Sequence, residues 1–102
     1  MKALLIQRRA LHDMEQARTY FEAYALHMVP DLARALDAAL LHLQRNPGTG
    51  SPRWGLQLGL AGLRVWCLSQ FPYVIFYFDH PHKIEVVRVL HQASDIPKHL
   101  EP

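Results

Sequence analysis

Two arginines and a histidine in the C-terminal half of the chain are the residues whose types and spacing could do chemistry. Arg64 follows Leu63, and Arg88 lies between Val87 and Val89, each inside a run rich in Val, Ile, Tyr, Phe and Trp. A cation in such a setting is too costly to bury alone. It is either paired with a carboxylate, such as Asp95 or Glu85, or placed at a cleft where it can hold an anion. His91 closes the last of these runs, as a hydrogen-bonded strand end or as a group that passes protons. Arg53-Trp54 sets a cation beside a large aromatic, which suits a recognition contact or a Trp that anchors its loop. His80-x-His82 sits in a turn, but two imidazoles without a third partner make a weak chelate, so no metal and no cofactor are expected. Phosphate-binding glycine loops, nucleophile elbows and paired catalytic carboxylates are absent from the sequence.

The elements that must position these residues can be read from periodicity. Leu63–Ser69, Tyr73–Asp79 and Ile84–His91 have strand composition and are separated by Gln70-Phe71-Pro72 and Asp79-His80-Pro81-His82. Proline cannot donate to a ladder, and breaks this short demand antiparallel neighbours, so the three form a meander. Tyr73–Phe78 is apolar at every position, which predicts a central strand covered on both faces. Ala3–Ile6 suits a further strand, tucked into the sheet and able to pair in parallel with a later one.

From about Arg9 the period changes. Met14, Ala17, Phe21, Tyr24 and Met28 form one stripe of an amphipathic helix, with Asp13, Glu15, Gln16, Arg18 and Glu22 on its wet face. Leu32, Leu36, Ala39, Leu40 and Leu43 mark a second helix, opened near Pro30-Asp31 and stopped by Asn46-Pro47-Gly48. Thr49 to Ala61 reads as a long irregular loop. The expected fold class is α+β. An N-terminal strand and an antiparallel helical hairpin pack on a mostly antiparallel sheet, completed by the C-terminal meander.

Composition limits the alternatives. The 102 residues, 50% hydrophobic and 20% charged, are expected to make one domain over residues 1–102 with its own core. The single Cys67 cannot form an internal disulfide, and no run approaches the roughly 20 apolar residues of a membrane span. A cytoplasmic location without membrane association follows as the expectation. A formal charge of +2 is mildly basic and compatible with an acidic partner.

Five segments in order then match a known pattern. Ala10-Leu-His-Asp13-Met14 corresponds to A-x-x-D-L, Asn46-Pro47 with Gly50 to N-P-x-x-G, and Gly62-Leu63-Arg64 to G-L-R. Pro72-Tyr73-Val-Ile-Phe-Tyr77 corresponds to P-Y-x-I-x-Y, and Val87-Arg88-Val-Leu-His91 with Asp95-Ile-Pro97 to R-V-L-H-x-x-x-D-x-P. In these segments the chain resembles the RelE/ParE toxin superfamily, and more closely its ParE branch. The resemblance implies the same fold and a toxin of a type II toxin–antitoxin pair. Such a toxin inhibits a macromolecular target, DNA gyrase in the ParE branch, and is neutralised by a cognate antitoxin in a heteromeric complex.

On that reading no residue is catalytic. Arg53, Trp54, Arg64, Arg88, His91 and Asp95 contact the target, and Tyr20, Tyr24, Phe76 and Phe78 supply apolar contacts for the antitoxin. The alternative implied by the resemblance is a RelE-like, ribosome-dependent mRNA endonuclease in which Arg64, Arg88 and His91 are catalytic, with ribosome and mRNA as partners. Two departures bear on it: the Thr49–Ala61 loop has no lysine, and no tyrosine follows Tyr77. Ser94 stands where many ParE-like chains carry an arginine before the aspartate. That substitution motivates a third reading, a member that has lost toxicity and persists bound to its antitoxin.

Overall fold

The computed structural model describes residues 1–101. Strand β1 (Ala3–Ile6) leads into helix α1 (Arg8–Tyr24) and, past a short 3-10 turn at Leu26–Met28, into helix α2 (Val29–Arg45). A second 3-10 turn at Pro47–Thr49 precedes the short helix α3 (Arg53–Leu58). Strands β2 (Leu63–Cys67), β3 (Tyr73–Asp79) and β4 (Lys83–His91) follow, and one last turn, α4 (Ile96–His99), closes the tail. The sheet order is β1-β4-β3-β2. Both pairings of the meander are antiparallel, and β1 joins β4 in parallel, Ala3 opposite Lys83 through Ile6 opposite Val86.

Local chemistry accounts for most of these limits. Pro30 falls in the first turn of α2, where its missing N–H is not needed, and Asp31 there with Arg45 in the last turn complements the helix dipole. The first helix stops at Tyr24, short of the Met28 end of its predicted stripe. The expected loop contains α3, a six-residue helix ended by Gly59 in the left-handed region at φ 68°. Its brevity and internal glycine hide it from a periodicity search.

The central strand is covered on both faces as its composition predicts: Ile75, Phe76 and Tyr77 are all fully buried. Ile75 and Tyr77, with Ile84, Val86 and Val89 from β4, face the helical hairpin and meet Phe21, Leu32, Leu40 and Leu43. Val74 and Phe76, with Leu63 and Leu90, form a smaller cluster on the other face, closed by Ile96 from α4. Phe76 was expected to contact an antitoxin. Buried at the centre of this second cluster, it can reach no partner, and that expectation is corrected. Among the described residues no helix is long and apolar enough to cross a membrane.

Candidate functional site

Helix α1 and strand β4 meet where β1 runs out. The β1–β4 ladder ends at Val86, whose carbonyl accepts the Gln7 N–H at 2.9 Å. Next comes a bulge: Phe76 faces Arg88 and Tyr77 faces Val86, which leaves Val87 as the extra residue. Asp13 on α1 then takes the place of the missing strand. Its Oδ2 accepts the Val89 backbone N–H at 3.0 Å. The same carboxylate accepts Arg88 Nε at 2.7 Å and Nη2 at 2.9 Å, a bidentate pair. Arg88 Nη1 donates to the His99 carbonyl at 3.0 Å, so helix, strand and tail are tied through one guanidinium.

The side chains of Arg88 and Asp13 are only 11% and 6% exposed, so each neutralises a charge that would otherwise be buried alone. Hydrogen bonding to Asp13 raises the Arg88 guanidinium above its already high ordinary value, outweighing desolvation. This corrects two expectations. Asp13 does not belong to the wet face of α1, and the partner of Arg88 is neither Asp95 nor Glu85. Asp95 caps α4 through the Lys98 N–H at 3.4 Å. Glu85 is held by His80 Nε2 at 2.8 Å and by Gln7, and these two hydrogen bonds lower its carboxyl below the ordinary range.

Arg64 is also committed, to neutral groups. Its Nη1 donates to the carbonyls of Gly50 at 2.7 Å and Gly48 at 3.2 Å. Across β2 stands Tyr77, whose hydroxyl donates to the Pro47 carbonyl at 2.7 Å and accepts the Gly50 N–H at 2.9 Å. The turn after α2 is therefore laced to the sheet by two side chains. A Cβ at position 50 would lie 2.4 Å from the Tyr77 oxygen, so only glycine lets the backbone approach. Burial pushes the Tyr77 hydroxyl above its ordinary value, partly offset by the Gly50 N–H and by Arg64.

His91 is exposed at the end of β4. Its Nδ1 accepts the Ala93 N–H at 2.9 Å and its ring meets the edge of Tyr73 at 5.3 Å. The expected trio does not converge. Arg64 is opposite Tyr77 and His91 opposite Tyr73, four residues apart on β3. That is about 13 Å along the strand and about 10 Å across it. Arg88 and His91 do share a cleft of about 560 Å³, walled by Tyr20, Phe21 and Tyr73, but Arg64 lies outside it.

The other expected residues are dispersed. Arg53 is exposed at the start of α3, whereas Trp54 is half-buried against the smaller core. Tyr20 and Tyr24 stand out from α1, 55% and 78% exposed, with ring centroids 4.9 Å apart. Phe78 is half-buried at the rim of the open sheet face. His80 is engaged by Glu85, and among the described residues no three His, Cys, Asp or Glu side chains gather to hold a metal. The pivotal residue that sequence reasoning passed over is Asp13. Its place in the A-x-x-D-L segment was the available signal.

A family model described as the ParE toxin of the type II toxin–antitoxin system parDE matches residues 4–96. Toxin ParE1 of Caulobacter vibrioides is 35% identical over 101 residues, spanning 98% of this chain and 99% of the relative. A solved chain described as a chromosomal ParDE TA system from P. aeruginosa superposes with a TM-score of 0.73. It covers 89% of this chain and 96% of its own length at 18% identity, a likeness of fold.

Proposed function

This chain belongs to the ParE toxin family of type II toxin–antitoxin systems, and from that membership we propose that it arrests growth by binding DNA gyrase in the cytoplasm and is held inactive by a cognate antitoxin. The observation that carries a binding mode over a cleaving one is the commitment of both strand arginines to internal partners. Cleavage of a phosphodiester needs cations and a proton-transfer group around one point. Here Arg88 is neutralised by Asp13, Arg64 holds backbone carbonyls, and His91 stands apart from Arg64.

Within this reading Arg53, His91 and Asp95 are the exposed members of the target surface. Trp54, Arg64 and Arg88 support it from behind, by holding α3, the turn after α2 and the tail. Tyr20 and Tyr24, with Phe78, remain the contacts offered to the antitoxin.

Purified chain added to a supercoiling assay is expected to inhibit gyrase, and Arg53→Glu to weaken the inhibition without changing the melting temperature. Induced cells are expected to stop dividing and to filament, with messenger ends unchanged. Full gyrase activity at stoichiometric excess of folded chain, or codon-positioned messenger cuts lost in His91→Ala, would sink the proposal.

A further inference from the structure

Helix α1 and the end of β4 enclose a cleft in two parts, joined at the Asp13–Arg88 pair that borders both. The larger part, about 560 Å³, has Tyr20 and Tyr73 as walls and His91 at its rim. The smaller part, about 410 Å³, is lined by Arg8, Arg9 and His12. From Arg9 to Tyr20 the helix rises about 16 Å. The cleft therefore runs along α1 with cations at one end and aromatic rings at the other.

Both ends carry groups that the fold leaves unused. Arg8, Arg9 and His12 are exposed and form no ion pair among the described residues. Neither arginine helps α1, because the first turn holds no acidic residue and positive charge there opposes the helix dipole. Asp13, the carboxylate beside them, is already neutralised by Arg88. Glu101 approaches the two arginines from the tail, which reduces the excess of positive charge without cancelling it. At the other end Tyr20 is 55% exposed and Tyr73 half-buried, so each keeps part of its ring accessible. His91 accepts the Ala93 N–H at Nδ1, which places its own proton on Nε2 when the ring is neutral.

Cations and aromatic rings in one cleft suit a single strand of nucleic acid, in which every base offers a π-face and every link a phosphate. A duplex hides its base faces, and an acidic peptide would use the cationic end alone. We infer that this cleft binds single-stranded DNA, with bases against Tyr20 and Tyr73 and phosphates on Arg8 and Arg9. The stacking and the charge follow from the cleft itself. The choice of DNA rests on the gyrase reading, in which the target brings DNA to the surface that carries His91. Tyr20, offered to the antitoxin above, serves the cleft in the free toxin.

The test is fluorescence anisotropy of the full chain with a labelled oligothymidylate of about eight nucleotides. Binding is expected, and it should weaken as salt rises. Tyr20→Ala is expected to weaken it about tenfold, and Tyr24→Ala, outside the cleft, to leave it unchanged. Arg8→Gln combined with Arg9→Gln is expected to lower the salt slope by about 1.4, at about 0.7 for each phosphate lost. Glu101→Gln is expected to tighten binding. All these positions are exposed, so melting temperatures should hold and a loss is not one of folding. No binding at low salt, an unchanged salt slope in the arginine variant, or equal losses in Tyr20→Ala and Tyr24→Ala overturns the inference. So does tighter binding of a duplex, of an RNA strand of the same length, or of a glutamate peptide. Gyrase inhibition is read separately. A chain that binds the strand and spares gyrase sinks the target alone, and one that inhibits gyrase without binding the strand sinks the cleft alone.

Discussion

The two faces of the sheet are built to different standards. Among the described residues, the face under α1 and α2 gathers fourteen buried side chains into one cluster, and the opposite face gathers five. Long amphipathic helices close the first. The second is closed only by α3, six residues, and α4, four residues, which leave Val87 and Phe78 half-buried. The helical face holds the molecule together, and the open face has the thinner cover. One ion pair connects them, because Asp13 belongs to α1 while Arg88 reaches the tail.

Breaking that connection should have the largest effect. Asp13→Ala leaves a buried guanidinium without its counter-charge and the Val89 N–H without an acceptor, a loss of about 3–5 kcal/mol. In a domain this small the melting temperature should fall by well over 10 °C, measured by calorimetry. A fall of only a few degrees would show that α1 is held by apolar packing alone.

The comparison of faces sharpens with truncations on each side. Leu43→Ala, at a position with no exposure, should cost about 2–5 kcal/mol. Val87→Ala on the open face should cost about 1 kcal/mol or less in the isolated chain. Similar costs in denaturant titrations would erase the distinction.

Tyr77→Phe is smaller and more diagnostic. It removes the acceptor of the Gly50 N–H and the donor to the Pro47 carbonyl, which should cost about 1–3 kcal/mol. The hydroxyl has its proton affinity raised by burial, so its contribution is complete below the ordinary tyrosine value, about 10, and is lost as pH rises through the folded-state value. The denaturation midpoint of the native chain should therefore decline in alkali. Tyr77→Phe should flatten that decline and leave the part due to Tyr73, whose hydroxyl burial also raises. An unchanged alkaline limb would remove the turn after α2 from the account.

The strands and the hairpin were legible because alternation and the 3.6-residue stripe are local signals, and β3, β4 and α2 follow them within a residue or two. What stayed hidden is of two kinds. Helix α3 is too short and too glycine-rich to show a period. Asp13 looks like any polar residue on a solvated stripe until a strand 75 positions later is brought against it. The site was less legible than the fold for the same reason. Arg64 and the pair Arg88 and His91 were expected on neighbouring strands, but β3 lies between β2 and β4; side-chain direction and register then decide what each touches, and a one-residue bulge at Val87 resets both on β4.

The parallel pairing of β1 with β4 also acts in time. A chain emerging from the ribosome at about 5–20 residues per second presents Ala3–Ile6 several seconds before its ladder partner, Lys83–Val86. Helices α1 and α2 can form early, whereas the sheet they cover has no centre until β3 and β4 have both left the tunnel. For several seconds of synthesis the growing polypeptide therefore holds two helices with no finished sheet to cover.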